Sequence, residues 1–212
     1  MMKFEIVLVL SLVVLGSHFG FSQDTIKLRN ASFEEFDENV MRLGQVPREW
    51  IDLGDATMTP VDIQPGQWNV DKPAQEGSYY VGMVARDNNT WEGIGQKLDG
   101  VLKKDSEYDM SIWLAKAPKF RSKSPLSVEE VLFNAPTILK IWGYNEETKE
   151  EELLAQSQPI GNEVWTKYSF TLAPKLGSYT EIDLVVYYAP GHENENGNLL
   201  IDNCSDIVEK SK

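Results

Sequence analysis

Several side chains of chemical interest fall one position out of step with the apolar residues beside them. In residues 108–114, Tyr108, Met110, Ile112 and Leu114 alternate with Asp109, Ser111 and Trp113. In residues 137–144, Leu139 and Ile141 alternate with Lys140, Trp142 and Tyr144. In residues 181–188, Ile182, Leu184 and Val186 alternate with Asp183, Val185 and Tyr187. A period of two puts alternate residues on opposite faces of a β-strand. If the aliphatic set faces a core, Trp113, Lys140, Trp142, Asp183 and Tyr187 face outward, and Arg86, Trp91 and Gln96 join them from an adjoining hairpin. Flat aromatic rings stack on the apolar faces of sugar rings, while Asp, Gln, Arg and Lys bond the hydroxyls. A ligand site needs this mixture of apolar platform and few polar groups. Tryptophan also fills sandwich cores, and for Trp113 and Trp142 the sequence leaves both placements open. Trp91, beside Asn88 and Asn89, is expected to be exposed; Trp50, Trp68 and Trp165, near turns or strand starts, are expected to be structural.

Other chemistries find less support. The chain has two histidines, His18 and His192, and the first lies in a segment expected to be removed. A histidine-activated nucleophile needs that base beside it, and His192 sits in a charged, turn-rich tip at residues 190–197. One histidine cannot build a histidine-rich zinc site. Gly93-Ile94-Gly95 lacks the third glycine of a phosphate-binding loop and opens a strand-like segment. Two carboxyl groups about 5 to 9 Å apart would suffice for glycoside hydrolysis, with Glu92 and Asp183 as the conceivable pair. Carboxylates are abundant in so acidic a chain, and no motif places these two across a groove, so the chain is read as noncatalytic. Cys204 has no Lys, Arg or His close in sequence to lower its pKa and is expected to be a buried, inert thiol.

The chain of 212 residues fits one domain of ordinary size. Its formal net charge of −13 disfavours nucleic acid and anionic membrane surfaces as partners. A single cysteine excludes an intrachain disulfide framework. Residues 6–15 form an apolar run that leaves through small residues toward Gln23, the pattern of a secretory signal peptide over residues 1–22. A membrane anchor would normally need about 20 apolar residues. Cleavage near Ser22 or Gln23 would leave residues 23–212 as one exported domain, periplasmic, cell-surface or secreted, without membrane insertion.

Most segments beyond that point alternate with period two between clusters of Gly, Pro, Asn and Asp. Strands are predicted over residues 78–84, 93–98, 108–114, 137–144, 168–172, 181–188 and 199–202. Many strands with almost no helical period point to an all-β, antiparallel β-sandwich, with its last strand near its first as in a jelly roll. Residues 116–136 break the rhythm and predict a long loop insertion with a short helical turn at 127–133, and long loops in compact domains are usually functional or mobile. Residues 146–152 predict a solvated, charged turn.

Four pieces in order carry a resemblance: Asn30-Ala31-Ser32-Phe33-Glu34 with a following Trp50; residues 76–83; residues 90–98 leading into 108–114; and Leu200-Ile201-Asp202-Asn203. Together they resemble the galactose-binding-domain-like jelly rolls that occur as carbohydrate-binding modules on bacterial cellulases and xylanases. The sequence departs from them in the length of the 116–136 insertion, and it is expected to stand alone rather than fused to an enzyme. The resemblance implies a galactose-binding-like jelly roll that binds glycan without catalysis. It also implies a structural calcium ion, held by the carboxylates of Glu34 and Asp202 with carbonyls near Ser32 and Ser78, and oxygen-rich ligation of this kind suits calcium. Read without the resemblance, Glu34 and Asp202 are ordinary surface charges. The alternative function is a structural or interaction subunit of a cell-envelope assembly, in which the same aromatic face docks a protein partner.

Overall fold

The computed structural model describes residues 24–58 and 60–211. The expected signal peptide lies outside the described residues. The strands in chain order are β1 (Thr25–Ile26), β2 (Ile51–Asp52), β3 (Asp62–Gln64), β4 (Tyr80–Ala85), β5 (Gly93–Leu102), β6 (Tyr108–Ala115) and β7 (Arg121–Lys123). They continue with β8 (Glu130–Leu132), β9 (Thr137–Asn145), β10 (Glu150–Gln156), β11 (Thr166–Leu172), β12 (Tyr179–Tyr188), β13 (Gly197–Asp202) and β14 (Ile207–Glu209). No helix occurs among the described residues.

All strand pairing is antiparallel, in two principal sheets. One has the order β10-β9-β12-β5-β2; the other runs β1-β14-β6-β13-β4-β3, with β11 on the remaining edge of β6. The jelly-roll closure is present, since β1 pairs with β14 at Thr25↔Val208 and Ile26↔Ile207. Between the sheets lies the principal core. Leu139 and Ile141 of β9, Ile182, Leu184 and Val186 of β12 and Ile94 of β5 meet Met110, Ile112 and Leu114 of β6, Val81 and Met83 of β4, and Leu199 and Ile201 of β13. Each of these side chains is buried. Removing a Leu or Ile from water contributes roughly 1.5–3 kcal/mol, so the alternating pattern fixes which face of every strand turns inward.

Two expectations are corrected. Residues 146–152 are not wholly a turn: residues 146–149 make it, and β10 follows as an edge strand of the five-stranded sheet. Leu154 enters the core, while Glu150 and Glu151 stay exposed. Charge on an edge strand discourages edge-to-edge association, which explains why this strand reads as a solvated turn in sequence.

The 116–136 segment likewise contains no helical turn. It holds the β7–β8 hairpin, with Arg121 opposite Leu132 and Lys123 opposite Glu130, folded over the outer face of the larger sheet. There Phe120 and Phe133, ring centroids 5.5 Å apart, join Val70, Tyr80, Val84 and Leu200 in a second, smaller core. Asn198 of β13 ties both ends of the segment down: its amide accepts from Ala117 N at 2.8 Å and donates to the carbonyls of Ala117 at 2.9 Å and Phe133 at 2.5 Å. Phe133→Ala should therefore cost about 3 kcal/mol of stability, read as a lower midpoint in urea unfolding. A change below about 0.5 kcal/mol would mean that the second core adds nothing.

Candidate functional site

The outward side chains of the five-stranded sheet form rows that the register defines. One row crosses all five strands: Ile51 of β2 lies opposite Gly95 of β5, Gly95 opposite Asp183 of β12, Asp183 opposite Trp142 of β9, and Trp142 opposite Leu153 of β10. The next row toward one end runs Lys97, Glu181, Tyr144, Glu151. On the other side of the central row, Gly93, Val185 and Lys140 align. Beyond them the Trp91 ring lies against Tyr187, centroids 4.6 Å apart, and Lys140 Nζ sits 3.9 Å from the Tyr187 centroid in a cation–π contact. The face thus carries an aromatic–cationic end, an apolar middle and a charged end. Trp91, Trp142, Tyr144 and Tyr187 are all half-buried, so their rings are supported from below and still meet solvent.

The one carboxyl of the central row leans across β5. A Cβ on Gly95 would lie 2.6 Å from Asp183 Oδ1 and 3.2 Å from side-chain carbons of both Ile51 and Leu53. Absence of a side chain at residue 95 is what admits the carboxyl into this apolar corner. There Oδ1 is buried without a hydrogen-bond partner among the described residues. Burial first, and then the negative charge of Glu181, push Asp183 up to about 7. Burial also raises Glu181, and it raises the Tyr187 hydroxyl.

Five of the eight residues expected to bind ligand therefore meet on this face: Trp91, Lys140, Trp142, Asp183 and Tyr187. Three do not. Gln96 points inward and is fully buried, accepting from Arg29 N at 2.8 Å and donating to the carbonyls of Arg29 at 2.8 Å and Glu49 at 3.2 Å. It staples two loop segments to β5. Arg86 is buried in an ion pair with Glu92, whose other oxygen accepts from Val84 N at 3.0 Å. Trp113 is half-buried on β6, opposite Asp202 and Lys167, on the outer face of the other sheet. The pairing of Glu92 with Asp183 as facing carboxyls fails for the same reason. Glu92 is spent on Arg86 and the β4 backbone, away from the aromatic face.

Glu181, Tyr144, Glu151 and Leu153 were not among the expected ligand residues. Alternation signalled Glu181 and Tyr144; Glu151 and Leu153 depended on recognising β10. The three tryptophans expected to be structural each make an indole N–H hydrogen bond: Trp50 to Asn30 O at 3.2 Å, Trp68 to Asp62 Oδ2 at 2.7 Å and Trp165 to Pro73 O at 2.9 Å. His192 stands on its exposed tip 3.2 Å from Glu195. Cys204 is buried, and burial pushes its thiol up, as expected of an inert cysteine.

Glu34 and Asp202 converge on one turn, residues 75–79. Glu34 Oε1 accepts from Ser78 N and Tyr79 N, both at 2.9 Å. Asp202 Oδ2 accepts from Gln75 N at 2.8 Å and Glu76 N at 3.1 Å, while Oδ1 accepts from Asn203 N at 2.7 Å. Burial raises Asp202 to about 6, and the charge of Glu34 adds to the effect. No cationic side chain among the described residues pairs with either carboxylate, and no group of three His, Cys, Asp or Glu among them forms a metal cage. Five peptide N–H groups thus occupy three of the four carboxylate oxygens; hard carboxylate oxygens are of the type that calcium takes, and carbonyls would have to complete its shell.

No family model and no curated protein matches this chain. Among solved structures, a cyclase from Fischerella sp. TAU is similar over 89% of this chain and 98% of its own, at 16% identity and a TM-score of 0.54. An arabinose-bound α-L-arabinofuranosidase, MgGH51, is similar over 89% of this chain and 27% of its own, at 13% identity and a TM-score of 0.50. The CBM22-1 xylan-binding domain of Paenibacillus barcinonensis Xyn10C matches over 86% and 94%, at 14% identity and a TM-score of 0.48. The likeness to the cyclase and the arabinofuranosidase is one of fold alone, and the chain's own strands make that fold an all-β, antiparallel jelly-roll sandwich.

The raised carboxyls predict an unusual pH dependence. Asp62 and Asp202 reach about 6 and Asp183 about 7, against 3.8 for the ordinary group, each mainly through burial. Between about pH 4 and 7 these three groups bind more protons in the folded chain than in the unfolded one, so the stability they contribute falls as pH rises through that window. We expect unfolding free energy in the absence of divalent cations to be higher at pH 5 than at pH 7.5, on the order of 2 kcal/mol after solvent screening. A urea midpoint that is equal or higher at pH 7.5 would contradict these assignments.

Proposed function

We propose that this chain is a noncatalytic glycan-binding protein whose site is the outer face of the five-stranded sheet. The observation that carries the reading is the central row. An indole, Trp142, lies between aliphatic Leu153 and the single carboxyl of Asp183, with a second aromatic group, Trp91 and Tyr187, one row further along. Aromatic planes on a rigid sheet offer stacking surface at little entropic cost, and Asp183, Lys140 and Tyr144 offer the hydrogen bonds that orient hydroxyls. Affinity in the micromolar range or weaker suits so open a face. The likeness of fold to an arabinose-bound α-L-arabinofuranosidase is compatible with this role. Export of the chain to the periplasm, cell surface or medium belongs to the same proposal, since glycans of this kind are met there.

Retention on insoluble polysaccharides and binding to a glycan array test the reading directly. Trp142→Ala is expected to weaken binding on the order of tenfold, by loss of one stacking surface. Trp91→Ala should act in the same direction, and Trp113→Ala, on the opposite sheet, should leave binding unchanged. Equal retention of wild type and Trp142→Ala would remove the aromatic face as the site.

A second reading, a docking subunit of a cell-envelope assembly, draws on one feature. The tip of the β7–β8 hairpin exposes Leu126 at 70% and Val128 at 95% of their full surface. It would take precedence if no glycan is retained and Leu126→Ser with Val128→Ser abolishes recovery of an envelope partner.

Calcium, bound by Glu34 and Asp202 with carbonyls near Ser32 and Ser78, is proposed as a fold-stabilising ion without a chemical role. A cation there would relieve the repulsion between the two carboxylates and reverse the rise of Asp202. The melting temperature is expected to be several degrees higher in excess calcium than in chelator, and Glu34→Ala should abolish the difference. Identical melting curves would sink the calcium proposal and leave the glycan reading untouched.

A further inference from the structure

The central row contains an anomaly that the glycan reading alone does not use. Every other member, Ile51, Gly95, Trp142 and Leu153, lacks charge. Asp183 stands among them with one carboxyl oxygen wedged over Gly95 against Ile51 and Leu53, buried and unpartnered. A carboxylate cannot donate, so an ionised Asp183 would leave that oxygen's charge in an apolar corner, at considerable desolvation cost. The groups around it do not neutralise it. On its own strand Glu181, itself raised by burial, is hydrogen-bonded to the Asp183 carboxyl and its charge disfavours ionisation of Asp183, while Tyr187 is neutral; β10 contributes Glu151, whose charge acts in the same direction. Of the cations, Lys97 on β5 pairs with Glu146, and Lys140 on β9 lies over the Tyr187 ring. Tyr144 of β9 brings no positive charge, and β2 presents Ile51 and Leu53 here. Geometry and electrostatics thus favour a proton on the carboxyl, in accord with its rise to about 7.

We propose, building on the glycan-binding reading, that Asp183 recognises its ligand as a neutral carboxyl, donating a hydrogen bond to an oxygen of an uncharged glycan stacked on Trp142. The carboxyl is then a specificity-determining donor, and binding is lost as the proton leaves. The exposed Glu151 in the neighbouring row repels glycans that carry carboxylate or sulfate groups, which makes neutral polysaccharide the ligand class. Gly95 is the residue that permits the arrangement, because a methyl group there collides with Asp183 Oδ1.

Two measurements on the mature chain test this. The first is a carbon-detected NMR titration of the Asp183 carboxyl without ligand, assigned by its disappearance in Asp183→Asn; a midpoint near 7 is expected, and one near 4 overturns the proposal whether or not glycans bind. The second is calorimetry with the neutral probes xylohexaose, cellohexaose and laminarihexaose at about pH 5.5 and 8.5, spanning that midpoint. Wild type should bind at least about tenfold more weakly at the higher pH. Asp183→Asn, whose amide can donate at any pH, should bind with no such dependence, and Asp183→Ala should bind weakly at both. Affinity that is unchanged or greater at the higher pH, with Asn behaving like Ala, overturns the neutral-donor proposal and leaves glycan binding standing. No binding of any probe at either pH, together with no retention on insoluble polysaccharide, overturns the glycan reading and this proposal with it.

Discussion

The burial of one aliphatic stripe on β12 governs the arrangement of both core and site. Ile182, Leu184 and Val186 are each wholly buried between the sheets, and β12 is paired on both edges, to β5 and to β9. A slip of one residue would turn all three into solvent and bring Glu181, Asp183 and Tyr187 into the core. The cost of such a slip, several buried aliphatic groups and two buried carboxyls, far exceeds what any single surface contact could offset. Because both neighbouring strands are locked to β12, its register also decides that Trp142 stands beside Asp183 and that Gly95 lies under its carboxyl. The site inherits its geometry from the core.

Buried polar groups do a different task, holding the loops that cover the sandwich. Gln96 links the Arg29 and Glu49 segments to β5, and Asn198 holds both ends of the 116–136 segment. Asp62 accepts from Gly44 N and Trp68 Nε1, each at 2.7 Å, and Glu92 joins Arg86 to the backbone of β4. Each replaces contacts with water by directed bonds to backbone or to a partner side chain, which a buried polar group requires. Loop pinning of this kind explains why several polar residues suited to ligand contact are not free to make it.

The long strands are legible because alternation survives wherever one face is buried and the other wet. Residues 108–114, 137–144 and 181–188 lie within β6, β9 and β12, and their inward sets are those the sequence marks. Alternation says which face a residue takes but not which sheet its strand joins, so the sequence does not separate Trp113 from Trp142. Arg86 and Gln96 are misread by residue type: Arg and Gln are usually exposed, and here a partner across the hairpin, Glu92, and long-range partners at Arg29 and Glu49 draw them inside. β10 was hidden by its glutamates, since a charged edge strand and a solvated turn have similar composition. The 127–133 stretch suggested a helical turn from its apolar spacing, whereas Phe120 and Phe133 bury against the outer sheet face through a hairpin.

The aromatic face also bears on stability. Continuing the central row with an aliphatic residue at 183 would fit its neighbours and remove a buried, unpartnered oxygen, so the carboxyl is present at some expense to the fold. The acidic pair at Glu34 and Asp202 adds a second unfavourable placement at the opposite sheet's margin, relieved by peptide N–H groups. Sequences that otherwise agree with their fold at each level tend to break local rules where function requires it. In this chain the principal core shows few such breaks, and the clearest one among the outward rows is the carboxyl beside Trp142. Its position, held from below by Ile182 and Leu184 and given room by Gly95, makes it a polar group whose surroundings, more than its own chemistry, govern its ionisation.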